Sequence, residues 1–221
     1  MAACEMIGGQ RVLFVMAVGA EYGPRLQARF TPLLTGVGPV EAALASGIAL
    51  DRLAAADQLP DLVVTLGSAG SRRCALGEVF QVASVSWRDM DASPLGFPRG
   101  VTPLIDHPPA LPLATPLDWP TATLSTGADV VTGEAYAAID ADMVDMETFA
   151  IVRACQRYGV PMMGLRGISD GPGELSGLAD WTALLGHLDT RLAVAVDALA
   201  DRLAADRARD MVARLASPCP T

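Results

Sequence analysis

The sequence predicts an α/β protein with a largely parallel sheet. Three observations point there. Short apolar runs rich in Val, Ile and Leu alternate with longer helix-forming stretches. Of the 221 residues 51% are hydrophobic and only 19% charged, which supplies a sizeable core and excludes a disordered chain. No repeat or linker-like shift in composition interrupts the pattern. Residues 1–221 are therefore expected to form a single domain, with the core over about 12–205.

The elements follow in order. Val12–Ala17 is an apolar run ending in a small residue, which fits a buried strand. Tyr22–Phe30 is the next helix candidate and Leu33–Thr35 a short strand. Gly36 to Pro39 form a turn, and Pro39 suits the first position of a helix. That helix is expected over Val40–Ala56, where Ala42, Ala43, Leu44, Ile48, Leu50 and Leu53 are good helix formers. Asp61–Leu66 is a second buried strand, closed by a Gly67-Ser68-Ala69-Gly70 turn. Val79–Trp87 and Thr121–Thr126 are strand-like. The Pro-rich stretch Ala92–Trp119 between them is too long for an ordinary connection and suggests a functional or interface loop. Met143–Asp145 leads into a helix over Glu147–Tyr158, and Pro161–Ile168 is another strand. Last comes one long helix from about Asp180 to Leu215, burying Leu184, Leu188, Leu192, Val196, Leu199 and Leu203 on one face. The tail after Ala216 is expected to be disordered.

Composition excludes several functions. Sixteen basic residues against 25 acids give a net charge of −9, which argues against nucleic acid or an anionic membrane as partner. No apolar run reaches the roughly 18 residues of a membrane span. The chain has no Lys, so Schiff-base chemistry, pyridoxal phosphate and a Walker A loop are out. It has no Asn, so Cys-His-Asn catalysis is out as well. His107 and His187 are the only histidines, too few for most His-based metal sites, and both are expected at the surface. Four scattered cysteines without CxxC spacing fit reduced thiols in a cytoplasmic protein. Glu5 precedes the first apolar stretch and Arg11 interrupts it, so it fits a strand better than a signal peptide.

Open α/β sheets bind ligands at the carboxyl ends of their strands. The residues there are Glu21, then Ser68, Ala69 and Gly70, then Val130 and Val131, then Met146 and Glu147, and finally Arg166, Ser169 and Asp170. Carboxylates, one arginine, two serines and small turns suit acid–base chemistry and hydroxyl recognition. A carboxylate can accept both O–H groups of a vicinal diol, at about 1.5–3 kcal/mol per charged hydrogen bond. A carboxyl raised in pKa by burial can act as a general acid, worth ~10²–10⁴ in rate. Taken alone, each fragment also fits an ordinary turn or helix start; the joint pattern is the specific signal. Arg166 inside an apolar strand requires a partner or a function. Two motifs are decoys. Gly36-Val37-Gly38-Pro39-Val40-Glu41 lacks the last Gly of a dinucleotide fingerprint, and Gly67-Ser68-Ala69-Gly70 is not GxSxG.

Together these segments resemble the purine nucleoside phosphorylase/uridine phosphorylase superfamily, and within it the methylthioadenosine/S-adenosylhomocysteine nucleosidases. The resemblance runs from about Val12 to Ala205. It is carried by VMAVGAEYGP (Val15–Pro24), TGVGPVEAA (Thr35–Ala43), VVTLGSAGS (Val63–Ser71), DMDASPLGFPRGVTP (Asp89–Pro103), STGADVVTG (Ser125–Gly133), DMVDMETFAIVRAC (Asp142–Cys155) and GVPMMGLRGISDG (Gly159–Gly171). The V-[DE]-M-E segment followed by R-x-I-S-D is its most specific pair.

The resemblance implies a mixed, partly closed central sheet flanked by helices. It also implies hydrolysis of the N-glycosidic bond of methylthioadenosine and S-adenosylhomocysteine, releasing adenine and a 5-thioribose. Asp170 then matches the acid that protonates adenine N7, with Ser169 beside it. Glu21 matches the acid that helps activate water, and Arg166 the arginine near water and ribose. Met146 and Glu147 match the pair that packs against and hydrogen-bonds the ribose. Ser68, Ala69 and Gly70 match the turn at water and base, and Val130 and Val131 the segment against adenine. Ala17 joins the substrate-binding set. No metal or organic cofactor is implied. Leu95 and Phe97 lie in a loop that reaches a neighbouring subunit in relatives, which implies a homodimer. The chain departs from the family at Thr126-Gly127-Ala128-Asp129-Val130-Val131, where a stacking aromatic is replaced by valine, and at Val18, where many members have Met.

The nearest rival is a phosphate-dependent phosphorylase of the same fold, for which Arg25, Arg72 and Arg73 would be the phosphate-site candidates. Glu21 argues against it, because a carboxylate there would repel phosphate. Other nucleosides, futalosine among them, are alternative substrates, and a non-catalytic nucleoside binder is the reading from another class.

Overall fold

The computed structural model describes residues 3–171, 173 and 177–216, with side chains through residue 207. The tail expected after Ala216 falls at 217–221, outside the described residues. The strands are β1 (Glu5–Ile7), β2 (Gln10–Met16), β3 (Leu33–Leu34), β4 (Leu62–Gly70), β5 (Val79–Trp87), β6 (Ala110–Pro112), β7 (Thr121–Thr126), β8 (Met143–Asp145) and β9 (Met162–Asp170). The helices are α1 (Pro24–Gln27), α2 (Pro39–Ala55), α3 (Thr148–Arg157), α4 (Leu178–Thr182) and α5 (Leu185–Ala216).

Five strands close on one another. β4 pairs with β9, β9 with β5, β5 with β7, β7 with β8, and β8 returns to β4 through Gly70 and Val144. The ring is mixed, since β9 runs antiparallel to β5 and β8 antiparallel to β4. This corrects the largely parallel sheet expected from strand–helix alternation and agrees with the partly closed sheet that the resemblance implies. Alternation reports chain order but not direction, and antiparallel pairs form here between strands distant in sequence. β2 extends the sheet in parallel beside β4, and β1 folds back on β2 through Gly8 and Gly9, both at positive φ.

Two apolar layers cover the two faces. Alternate residues of one strand enter different layers, as the two-residue period of a strand requires. Leu13 and Val15 of β2 join Leu50, Leu53, Val63, Ile151 and Met162 under α2 and α3. Val12, Phe14 and Met16 join Leu26, Val64, Leu66, Leu165, Leu188 and Leu199 under α1 and α5. Burial on both faces explains why β2, β4 and β9 are nearly unbroken apolar runs.

Four local differences have physical causes. The Tyr22–Phe30 helix shrinks to the four residues of α1, and its first N–H groups are capped from α5: Asp189 accepts from Arg25 N at 2.9 Å and Leu26 N at 3.0 Å. The Gly67-Ser68-Ala69-Gly70 turn is instead the end of β4, because β9 pairs with every one of its residues. Residue 147 is the cap of α3 and not part of its first turn. The single C-terminal helix is two, α4 and α5, and Leu184 lies in the break and is only partly buried. Leu188, Leu192, Val196, Leu199 and Leu203 do form the expected buried face, each worth roughly 1.5–3 kcal/mol. Among the described residues, no helix is long and apolar enough to cross a membrane.

Candidate active site

The ends of β2, β4, β8 and β9 surround a cavity of about 620 Å³. Of the residues singled out in the sequence, Ala17, Glu21, Ser68, Ala69, Gly70, Val130, Val131, Met146, Glu147, Ser169 and Asp170 line it. Arg166, Leu95 and Phe97 do not. Leu95 is 76% exposed, and Phe97 is partly buried.

Glu21 sits on a short 3-10 turn, Gly19–Glu21, just past β2, and is buried. Its Oε1 accepts from Ser68 N at 2.7 Å and Ser68 Oγ at 2.6 Å. Gly67 leaves room for the carboxylate, since a Cβ there would lie 3.1 Å from Oε2. Burial raises the Glu21 pKa above the usual carboxylate range; the two Ser68 bonds and the Arg166 charge oppose the rise.

Glu147 is also buried, and its Oε1 accepts from Gly38 N at 2.8 Å. Gly38 has φ +98°, a conformation that favours glycine, and it turns its N–H toward the site before Pro39 starts α2. Burial, and then the neighbouring Asp145 charge, push the Glu147 carboxyl up to about 7. The Gly38 N–H and Arg166 pull the other way.

Asp170 ends β9. Its Oδ1 accepts from Ser169 Oγ at 2.6 Å, and Tyr136 approaches Oδ2 at 3.5 Å. Burial and the Asp170 charge drive the Tyr136 pKa upward, so this phenol stays protonated. Gly70 is required beside them, because a Cβ would collide with Tyr136 and Asp170.

Arg166 lies beneath the cavity, almost fully buried, and has the partner its burial requires. Its Nη2 is 3.0 Å from Asp145 Oδ2 and donates to Thr148 Oγ1 at 2.6 Å and Thr65 Oγ1 at 3.2 Å. Asp145 also accepts from Thr126 Oγ1 at 2.6 Å and from the Thr148 hydroxyl. Arg166 thus acts on Glu21 and Glu147 through its field.

Sequence reasoning missed three groups. Asp145 carried no signal beyond its place in a motif, because its partners are remote in sequence. Arg88 directly follows β5, so the strand-end rule could have found it. Its guanidinium donates to Ser125 O at 2.6 Å, Asp145 O at 3.0 Å, Asp129 O at 2.7 Å and Asp129 Oδ1 at 3.1 Å, and so fixes the segment leading to Val130. Val130 is 64% exposed at the rim, while Val131 is buried against Tyr136 and Val144. Trp181 was concealed within an expected continuous helix; it lines the cavity from α4.

The lining is strongly acidic. It holds Glu21, Asp129, Asp145, Glu147 and Asp170, and Arg88 is the only basic residue among the described ones. Arg25, Arg72 and Arg73 do not line it, and Arg73 pairs with Asp142 at 3.3 Å. Among the described residues, no three His, Cys, Asp or Glu side chains are grouped to hold a metal ion. The two histidines are elsewhere: His187 is exposed with Nε2 at 3.1 Å from Gly77 O, and His107 packs edge-on against Phe149.

Residues 121–214 match the sequence model of the phosphorylase superfamily. A 5′-methylthioadenosine/S-adenosylhomocysteine nucleosidase of an Exiguobacterium species is 28% identical over 170 residues, spanning 66% of this chain and 70% of that one. The crystal structure of a nucleosidase of the same name from Colwellia psychrerythraea, in complex with adenine, superposes with a TM-score of 0.72 at 21% identity, covering 91% of this chain and 96% of that one. Futalosine hydrolase of Helicobacter pylori gives 0.68 at 17% identity, over 84% and 95%. These structures share the fold of this chain, and its residues 121–214 are similar to the phosphorylase superfamily.

Proposed function

We propose that the protein hydrolyses the N-glycosidic bond of 5′-methylthioadenosine and S-adenosylhomocysteine, releasing adenine and a 5-thioribose. The observation that carries the choice of hydrolysis is the charge of the cavity. Five acidic residues line it. Arg88 in the lining is already bonded to Asp129 and three carbonyls, and buried Arg166 beneath is bonded to Asp145. Among the described residues, Glu21, Glu147 and Asp170 have no ion-paired cation. A phosphate nucleophile would meet repulsion there, and the candidate phosphate arginines lie outside the lining. Water meets no such barrier.

In this reading Asp170 protonates N7 of the leaving adenine, with Ser169 holding its Oδ1 side. Bond cleavage leaves positive charge on the ribose, which the surrounding carboxylates stabilise where it develops. Glu147 accepts the ribose hydroxyls and Met146 packs beside the sugar. Glu21 orients the attacking water and takes its proton, and its raised pKa suits it to that exchange. Ser68, Ala69 and Gly70 form the wall between water and base, Val130 and Val131 flank the adenine, and Ala17 closes the β2 side. Arg166 supports the carboxylates from below, and no cofactor takes part.

The protein is further proposed to act as a cytoplasmic homodimer. Val40, Leu44 and Ile48 form an exposed apolar stripe on α2, and Leu95 and Leu104 project from the long loop. Exposed apolar surface of this kind marks an interaction face. Phe97 shares that loop.

The test is a product assay with 5′-methylthioadenosine, with and without phosphate. Adenine and free methylthioribose in phosphate-free buffer support the reading. A sugar 1-phosphate that forms only when phosphate is present would replace it with the phosphorylase.

A further inference from the structure

Ser68 has a second partner that the proposed chemistry does not use. The indole N–H of Trp181 donates to Ser68 Oγ at 2.9 Å, and the same hydroxyl donates to Glu21 Oε1 at 2.6 Å. A hydroxyl carries one proton. With an N–H aimed at its lone pair, Ser68 is held as a donor and its proton lies on the Glu21 side. The Ser68 backbone N–H takes the same Oε1 at 2.7 Å. Three residues remote in sequence thus form a directed chain from α4 through β4 to the turn after β2. Trp181 is partly buried and lines the cavity beside Leu178.

We propose that Trp181 is a positioning residue for the hydrolysis: through Ser68 it pins Glu21 by Oε1 and leaves Oε2 to hold the attacking water. The inference rests on the reading of Glu21 as the water-orienting carboxylate. Donors in series polarise one another, so the indole makes the Ser68 hydroxyl a stronger donor and favours the ionised form of Glu21. The other charges around Glu21 are Arg166 of β9, which also favours ionisation, and Asp145 of β8 and Glu147 before α3, which oppose it. Asp170, Arg88 and Asp129 line the same cavity, and Asp189 of α5 packs against Gly23 while capping α1.

Trp181→Phe removes the N–H and keeps an aromatic ring. The expected result is a kcat lowered about three- to tenfold, a KM within about twofold, and an acid limb of the kcat/KM profile moved to higher pH. In a Ser68→Ala background the same substitution should change neither kcat nor the limb, because the chain is already broken. An unshifted limb in Trp181→Phe, or an equal effect in both backgrounds, would overturn the proposal. A second readout does not depend on turnover. The emission difference between wild type and Trp181→Phe isolates Trp181 from the other two tryptophans. It should titrate with Glu21, and Ser68→Ala should abolish or displace that titration. If the wild type turns over no nucleoside but this titration behaves as described, the chain stands and the nucleosidase reading fails. If Ser68→Ala leaves the titration unchanged, the chain itself is refuted.

Discussion

Asp145 and Glu147 are two residues apart and both buried, yet their surroundings differ completely. Asp145 is held by Arg166, Thr126 and Thr148, and its oxygens are committed to the fold. Glu147 is held by one backbone N–H, and its carboxyl is pushed up to about 7. The first is paid for by a full cation, while the second is left poised over a cavity. The contrast shows that partners, rather than residue type or burial, separate an acid held in the fold from one left open to the cavity.

The contrast can be broken most severely at Arg166. Arg166→Met should leave Asp145 buried and unpaired, at a cost of about 3–5 kcal/mol in urea unfolding at pH 7. A loss under ~1 kcal/mol would mean that the pair is not essential to the fold. At Glu147 the sign reverses. A carboxyl whose folded pKa is raised stabilises the fold fully below its ordinary value near 4.5, and that contribution is lost as pH rises through about 7. Glu147→Gln stays neutral throughout. It should match the wild type at pH 4 and exceed it by about 1–3 kcal/mol at pH 8, read as a Tm difference that opens between these limits. A Tm difference independent of pH would remove the strain assigned to Glu147. The same variant should lose more activity on substrates carrying both ribose hydroxyls than on 2′-deoxy analogues. The smallest effect is expected at the surface. Arg29 and Asp197 approach to 2.7 Å but are 29% and 56% exposed, so Arg29→Met should cost no more than about 1 kcal/mol. A cost near that of Arg166→Met would show that exposure does not separate the two pairs.

The legible parts of the fold were those whose burial is local. Val79–Trp87 and Thr121–Thr126 were bounded correctly because apolar, β-branched residues alternate there and turn residues flank them. Gly67 to Gly70 were misread because Gly and Ser usually form turns. Here they are strand residues whose lack of bulk admits Glu21 on one side and Tyr136 with Asp170 on the other. Strand direction was hidden, because β5–β9 and β4–β8 pairing depends on the closed ring rather than on any one segment. At the site, the strand-end rule located most of the lining. It could not find Asp145 or Trp181, whose partners are set by tertiary structure, and it put Arg166 at the surface of the cavity instead of beneath it.

The central claim is that a carboxyl group at the end of β9 protonates the leaving base. Asp170→Asn tests it most directly, by single-turnover hydrolysis of 5′-methylthioadenosine alongside a thermal melt. The predicted result is a rate lowered by ~10² or more with Tm essentially unchanged. Wild-type turnover by a folded Asp170→Asn protein would contradict it.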